Sequence, residues 1–464
     1  MTFRNEKDSL GEMQVPKGAL YGIHTMRALE NFSISKNPPH PYLIRAFGAV
    51  KRATATVNRR LGKLNIHDRL YEALIEACDQ MADGMLTEHV VVDAYQGGAG
   101  TSTNMNVNEV LANVALVRIG ESPGQYDILS PLAHVNLHQS TNDTYPTALK
   151  LACIWLIGQL EQQVLLLQES FQLNEKKYEH VVKVARTQCQ DAVLSTVGRQ
   201  FGAYAEAMGR DRWRIYKCQE RLRVVNLGGT AIGTGLGAPR QYIFQVVDIL
   251  REQTGIPLAR AENLLDCTQN QDVFVEVSGI VCALAANLQK IASDLRFMSS
   301  GPDAGIGEIT LEKRQVGSSI MPAKVNPVIP EAVTQVAMQV MGNDTVIKTA
   351  CANGSLELNP FLPLVAQNLL VNLEMLVNAV AVFKKHCVDT ISVNEGVCAQ
   401  HVARSNALAT ALVSKLGYEK VATLVQQAGA MNRSLYDAVI ADGQLPRDEL
   451  DALLTHWSVC RLGE

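Results

Sequence analysis

The sequence predicts a mainly helical protein organised around a bundle of long helices. Only 5% of its 464 residues are aromatic while 47% are apolar, so the core must come largely from Leu, Val, Ala and Ile. That mixture favours packed helices over twisted strands. No proline falls between Pro146 and Pro239, which leaves room for long uninterrupted helices, because an interior proline costs about 3 kcal/mol. Apolar residues also recur at helical spacing. Leu151, Ile154, Ile157, Leu160, Val164, Leu165 and Leu167 mark one face of a helix predicted over 147–180.

The remaining elements follow in chain order. Residues 1–139 read as a mixed, mostly helical N-terminal domain, in which 97–109 leads into a helix over 110–119. Helices over 195–225, 241–254, 272–298, 330–350 and 363–386 join 147–180 in a central bundle domain, 140–394. Shorter helices over 402–416 and 447–454 form a small C-terminal domain, 395–464. Several bundle helices are apolar on more than one face, as at 280–288, a pattern that suits burial between subunits of an oligomer.

Composition narrows the function. A net charge of −4 with no long basic run argues against a nucleic-acid surface. The first thirteen residues are charged throughout and lack the apolar stretch of a signal peptide. Apolar stretches such as 369–383 are interrupted by Asn372, Glu374 and Asn378, so none is expected to span a membrane. A soluble, cytoplasmic protein is expected. The ten cysteines are scattered without metal or redox spacing and read as reduced, mostly buried thiols. There is no HExxH, and the His134/His138 pair lacks an acidic neighbour, so no metal or other cofactor is expected.

Three polar clusters stand out. GGAGTSTNMNVNE, 97–109, brings Gly-rich backbone and Thr101, Ser102, Thr103 and Asn104 to the start of a helix. HVNLHQSTNDTYPT, 134–147, places Ser140, Thr141 and Asn142 before the longest helix, with Pro146 in its first turn. An ordinary helix cap explains either segment alone. Two hydroxyl-rich caps of one kind point instead to carboxylate binding, since free N–H groups and hydroxyls converge at a helix N-terminus. The third cluster, GSSIMPAKVNPVIPE, 317–331, follows a glycine-rich stretch from Ser299. It holds paired serines with Lys324 and Asn326 and no carboxylate beside the lysine. A plain surface loop is its bland alternative.

Together these segments resemble the aspartase/fumarase superfamily. GSSIMPAKVNP is similar to its signature loop, and GAGTSTNMNVNE and QSTNDTYPT to its other two active-site regions. The likeness covers nearly the whole chain. It implies a three-domain, mainly helical subunit, a homotetramer around a twenty-helix core, and active sites each shared by three subunits. It implies an elimination on a small dicarboxylic or amino acid, in which a proton leaves the carbon beside one carboxylate and a group departs from the next carbon. Thr101, Ser140, Thr141 and Ser319 would bind the carboxylate as it becomes an aci-carboxylate, with donors worth about 3 to 4 kcal/mol each. Ser318 would be the base, its proton affinity lowered by loop N–H groups and by Lys324. Lys324 and Asn326 would hold the other carboxylate, and Asn142, Thr187 and Gln188 would surround the leaving group. The loop near 311–330 would close over substrate, with Gly305, Gly307 and Gly317 as compatible hinges.

Within the family, YGIHTMRALENF (21–32) and RTQCQDAV (186–193) resemble the ammonia-eliminating branch, which converts L-aspartate reversibly to fumarate. Gln188 stands where fumarases have a histidine paired with a glutamate, so the relay that activates water cannot form there. Cys189, Leu194, Asp303, 311–314 and Leu362 depart from the usual pattern. Three alternatives therefore stay open: a substituted aspartate or other amine-bearing acid, a class II-type fumarase, and a non-catalytic scaffold.

Overall fold

Freedom from proline translates into helix length. The structure, a computed structural model, describes residues 2–461; Met1 and residues 462–464, the end of the expected C-terminal domain, lie outside them. Among the described residues five helices reach 25 residues or more: Thr141–Lys177, Val197–Leu222, Asp272–Met298, Val328–Ala352 and Leu362–His386. Pro330 and Pro363 sit in the first turns of the last two, where a backbone N–H is not needed. Among the described residues strands occur as two-stranded pairs, including the hairpins Phe3–Asp8/Gly11–Pro16 and Val182–Thr187/Gln190–Thr196.

Several sequence-based boundaries need correction. The helix predicted over 110–119 begins at Thr101 and ends at Ile119, because Asn104, Asn106, Asn108 and Glu109 are buried inside it and break the apolar periodicity. The helix predicted over 147–180 begins at Thr141, which places Pro146 in its second turn and not its first. The start of the helix predicted over 195–225 belongs to the hairpin through Thr196, and the helix itself is Val197–Leu222. The one predicted over 402–416 is two helices, Glu395–Arg404 and Ala409–Leu416. Ser405 separates them: its backbone is extended and its Oγ accepts the Ala407 N–H at 3.3 Å.

The chain divides into two compact units. One comprises 1–160, 214–283 and 339–376; the other comprises 161–213, 284–338 and 377–464. In the first, Pro41–Arg60, Asp68–Ala82 and Thr101–Ile119 pack around Phe47, Val50, Leu74 and Leu111, all inaccessible to water. Gly48 permits the close approach of the first two helices, since a Cβ there would lie 2.5 Å from the Ala82 nitrogen. In the second, Phe171, Phe201 and Tyr204 form an aromatic cluster, and the Tyr204 hydroxyl donates to Asp294 at 2.7 Å. A separate apolar cluster, including Leu412, Leu424, Val439 and Leu450, organises the C-terminal helices.

By length and composition, Asp272–Met298 and Leu362–Thr390 are apolar enough to cross a membrane, with mean hydropathy 1.4 over their best windows. The sequence reading excluded such spans because scattered Asn and Glu interrupt them, but those residues do not lower a window average far enough. Here 39% and 50% of those windows are buried in the chain's own fold. Polar groups on both helices are paired: Ser278 donates to Asp344 at 2.8 Å, and Asn372 accepts from Asn343 at 2.7 Å.

Connecting segments are tied down by buried carboxylates. Asp93, 4% exposed, accepts the N–H groups of Ile34, Ser35, Lys36 and Tyr95 and the Ser35 hydroxyl, all within 2.9 Å. Burial pushes its carboxyl up, but the Ser35 hydroxyl and these N–H groups outweigh that and hold it at about 2. Because the folded value lies below the unfolded one, Asp93 stabilises the fold fully above the ordinary carboxylate range. That contribution disappears as pH falls towards 2. Asp93→Ala is expected to cost about 1–3 kcal/mol in urea unfolding at neutral pH, with the deficit shrinking as the solution is acidified. A deficit independent of pH would contradict this.

Candidate active site

The residues that sequence analysis singled out fall into two sets, one in each compact unit. Thr101, Ser140, Thr141 and Asn142 belong to the first unit; Thr187, Gln188, Ser318, Ser319, Lys324 and Asn326 belong to the second.

In the first set two helix N-termini meet. The chain reaches Thr101 through three residues of positive φ, Gly98, Ala99 and Gly100, and a Cβ on Gly100 would lie 2.3 Å from the Tyr145 ring. Thr101 is exposed, with its hydroxyl on the Gly98 carbonyl at 2.7 Å. One turn later, the Asn104 amide donates to the Thr141 hydroxyl oxygen at 3.1 Å and so couples the two helix starts. Ser140 caps the second helix: its Oγ accepts the Asn142 N–H at 3.2 Å, while Asp143 accepts the Ser140 N–H at 3.0 Å. Asp143 also accepts from Gly228 and Thr230, and the Asn142 side chain reaches the Ala231 carbonyl at 2.8 Å.

A charged layer lies beneath these caps. Lys51 is 1% exposed and donates to Gln139 at 2.8 Å and Asn136 at 3.1 Å. Asn136 in turn accepts from Asn104 and Asn108, both at 3.1 Å. Burial pushes Asp143 up to about 7 against the N–H groups of Ser140, Thr230 and Gly228 and the charge of Lys51. Burial pushes Lys51 down to about 7, opposed by Asp143.

Pro146 sets a further demand. It lacks the N–H that the Asn142 carbonyl would otherwise accept. The Asn226 amide supplies one at 3.0 Å and also donates to Thr268 at 2.9 Å.

In the second set, Thr187 and Gln188 are exposed at the tip of the 182–196 hairpin. Gln188 and Cys189 adopt φ of +54° and +60°, the left-handed conformations of a tight two-residue turn that Asn-Gly usually fills. Arg186, just before them, donates to the fully buried Glu308 at 2.8 Å; His401 contacts the same oxygen at 3.0 Å, and Lys183 lies 3.3 Å from the other. Burial alone would push Glu308 up, but Lys183, His401 and Arg186 hold it below the ordinary carboxylate range.

The 317–326 loop closes on itself. Gly317 donates to the Lys324 carbonyl at 3.0 Å, and the Asn326 amide donates to the Gly317 carbonyl at 2.8 Å. Ser318 Oγ accepts two backbone N–H groups, from Met321 at 2.9 Å and Ile320 at 3.2 Å. Ser319 and Lys324 are exposed; Ser318 and Asn326 are half-buried. Ala323 has a φ of +68°, a left-handed conformation that favours glycine. Gly317 serves close approach: its Cβ would lie 2.4 Å from the Lys324 oxygen. Gly305 is likewise pressed on the Ser300 carbonyl, whereas Gly307 has the positive φ, +60°, that requires glycine.

Residues 11–342 match the family described as Lyase, and residues 408–460 match the Fumarase C C-terminus. The chain belongs to this lyase family. It is 42% identical over 460 residues to a Bacillus aspartate ammonia-lyase, covering 99% of this chain and 98% of the relative. It superposes on a fumarate lyase:delta crystallin from Brucella melitensis, crystallised bound to cobalt, with TM-score 0.93 and 43% identity over 98% of both chains. A class II fumarase from Schistosoma mansoni matches with TM-score 0.90 at 30% identity, again over 98% of both chains. Among the described residues of this lyase, no group of three or more His, Cys, Asp or Glu side chains is placed to hold a metal ion.

Sequence reasoning missed Lys51, Asp143 and Asn226, and named Asn104 only as part of the first polar cluster; all four position the predicted residues. Lys51 left a signal, since it falls on the same helix face as Phe47, Val50 and Thr54, all buried. Asn226 left none, because its partner is 84 residues away. Asn226→Ala should destabilise the lyase by about 1–3 kcal/mol, the cost of an orphaned buried carbonyl. Much of that loss should vanish in a Pro146→Ala background, where residue 146 regains its N–H. Equal losses in the two backgrounds, measured by denaturant unfolding, would contradict the pairing.

Proposed function

We propose that this lyase is an aspartate ammonia-lyase, eliminating ammonia from L-aspartate to give fumarate in a reversible reaction. The observation that carries the reading is the environment of Ser318. A serine is ordinarily too weak to take a carbon-bound proton. Here its Oγ accepts two backbone N–H groups, which stabilise negative charge on that oxygen. Lys324 follows in the same loop and contributes a positive charge with no acidic neighbour between residues 315 and 330.

Thr101, Ser140, Thr141 and Ser319 are assigned to the substrate's β-carboxylate. The paired helix N-termini supply hydroxyls, free N–H groups and partial positive charge there. Proton removal by Ser318 turns that carboxylate into a doubly charged aci-carboxylate, and donors aimed at it stabilise this state more than the ground state. Collapse of the aci-carboxylate then expels the amine. Lys324 and Asn326 are assigned to the α-carboxylate, and Asn142, Thr187 and Gln188 to the amine. Gln188 cannot serve as the histidine of a water relay, and Glu331 lies 3.7 Å from Arg296, so both favour ammonia over water as the leaving group. No cofactor is assigned a step.

We assign the three domains to 1–139, 140–394 and 395–464, and propose a cytoplasmic homotetramer whose active sites each draw on three subunits. Supporting this, the long apolar helices are only partly covered within one chain. Val316 and Ile320, beside Ser318, are 86% and 84% exposed, as expected of a loop that packs against another surface when the site is complete.

Incubation with L-aspartate should produce the ultraviolet absorbance of fumarate, whereas turnover of malate alone would favour the fumarase reading. Ser318→Ala should lower kcat by roughly 10²–10⁴-fold without altering assembly; a near-normal rate would remove Ser318 as the base. Lys324→Ala should raise KM roughly tenfold to a hundredfold, the worth of a charged hydrogen bond, and an unchanged KM would remove it from the carboxylate site.

A further inference from the structure

Lys150 and Cys267 form a pair that the elimination does not use. Lys150 lies on Thr141–Lys177 and is 4% exposed. Its Nζ donates to the Val224 carbonyl at 2.8 Å and to Cys267 Sγ, on the helix Leu264–Gln269, at 3.3 Å. Among the described residues the sulfur, and no carboxylate, is the side-chain partner of this nitrogen. A buried amine without a carboxylate is costly, and here it is aimed at a thiol.

The setting is reachable. Both side chains line a cavity of about 390 Å³ with Arg221, Glu262, Asp266 and Asp272. Cys267 is half-buried, whereas Cys78, Cys153, Cys218, Cys387 and Cys398 are buried. Burial pushes the thiols of Cys78, Cys218, Cys387 and Cys398 up to about 12, which makes them inert. Among the described residues, Cys267 is the cysteine with a lysine nitrogen within hydrogen-bond distance.

We propose that Cys267 and Lys150 form an oxidative modification site, in which a peroxide converts the pair to a sulfur–nitrogen cross-link. The sulfur attacks hydrogen peroxide, the O–O bond breaks, and one oxygen is transferred to give a sulfenic acid and water. The Lys150 nitrogen, once it has given up its ammonium proton to solvent, attacks that sulfur. The S–O bond breaks as S–N forms, and the departing hydroxide takes a proton from the nitrogen as a second water. Sulfur is oxidised by two electrons and peroxide oxygen is reduced by two. The 3.3 Å separation puts nitrogen and sulfur within the distance range of reacting atoms. An added thiol reverses the bond by attacking sulfur and releasing the amine. The link would tie Leu264–Gln269 to the long helix next to Thr268, whose hydroxyl accepts from the Asn226 amide that also braces Asn142.

The test is peptide mass spectrometry on the full-length protein after hydrogen peroxide treatment, alkylation of free thiols and digestion at acidic residues. The expected product joins the peptides of Lys150 and Cys267, is lighter by two hydrogens than their sum, disappears on dithiothreitol treatment and is absent from Cys267→Ser. Cys267 recovered as an alkylated thiol, as sulfinic or sulfonic acid, or linked to a different lysine, from protein with unchanged circular dichroism, would overturn the proposal.

Discussion

A carboxylate taken out of water must collect donors, and much of this chain's irregular backbone is arranged to supply them. Glu109, fully buried on Thr101–Ile119, accepts the N–H groups of Gly22, His24 and Thr25 and the Thr25 hydroxyl, which pins the start of Ile23–Asn31. Asp93 does the same for 34–36, and Asp143 for Ser140, Gly228 and Thr230. In the other compact unit Glu308 gathers Lys183, Arg186 and His401 below the 182–196 hairpin. An unpaired acid at any of these positions would carry the full desolvation penalty. The local fold is therefore set wherever the donors can be brought.

The proposed chemistry obeys the same rule with a substrate in place of a side chain. A dicarboxylic acid entering the site brings charge that must be met by donors already in position, because donors that reorganise during the reaction do not lower its barrier. Thr141 illustrates how the scaffold arranges this. Its hydroxyl oxygen is occupied as an acceptor by the Asn104 amide, so its O–H is left to donate elsewhere. Behind it, Lys51 and Asn136 hold Asn104 in place beneath the two helix N-termini. Ser318 is treated alike: two backbone N–H groups already point at the oxygen that must carry negative charge before it takes the substrate's proton.

Local chemistry was legible in the sequence and long-range pairing was not. The cap at Ser140 could be read because hydroxyl, amide and acid lie within four residues and the helix follows directly. Pro146 was misplaced by a turn because the donor that lets it sit deeper, Asn226, comes from a distant segment. The true start of Thr101–Ile119 was hidden because its first turns bury asparagines and a glutamate, which periodicity counts as solvent-facing. The 182–196 hairpin escaped because Gln188 and Cys189 carry no turn signal, although both take left-handed backbone. That strain falls where the family likeness puts contacts to the leaving group, a common place for a sequence to depart from local preference.

On the proposed reading, a dicarboxylic acid in the assembled protein is held by the helix N-termini at Thr101 and Thr141 and by a loop that carries Ser318. A crystal structure of the assembled protein with succinate, which has no amine to lose, tests it most directly. One carboxylate is expected against Thr101, Ser140, Thr141 and Ser319 and the other against Lys324 and Asn326, with Ser318 Oγ facing the methylene carbon beside the first. Succinate bound elsewhere, or these segments surrounding no common cavity in the assembly, would contradict it.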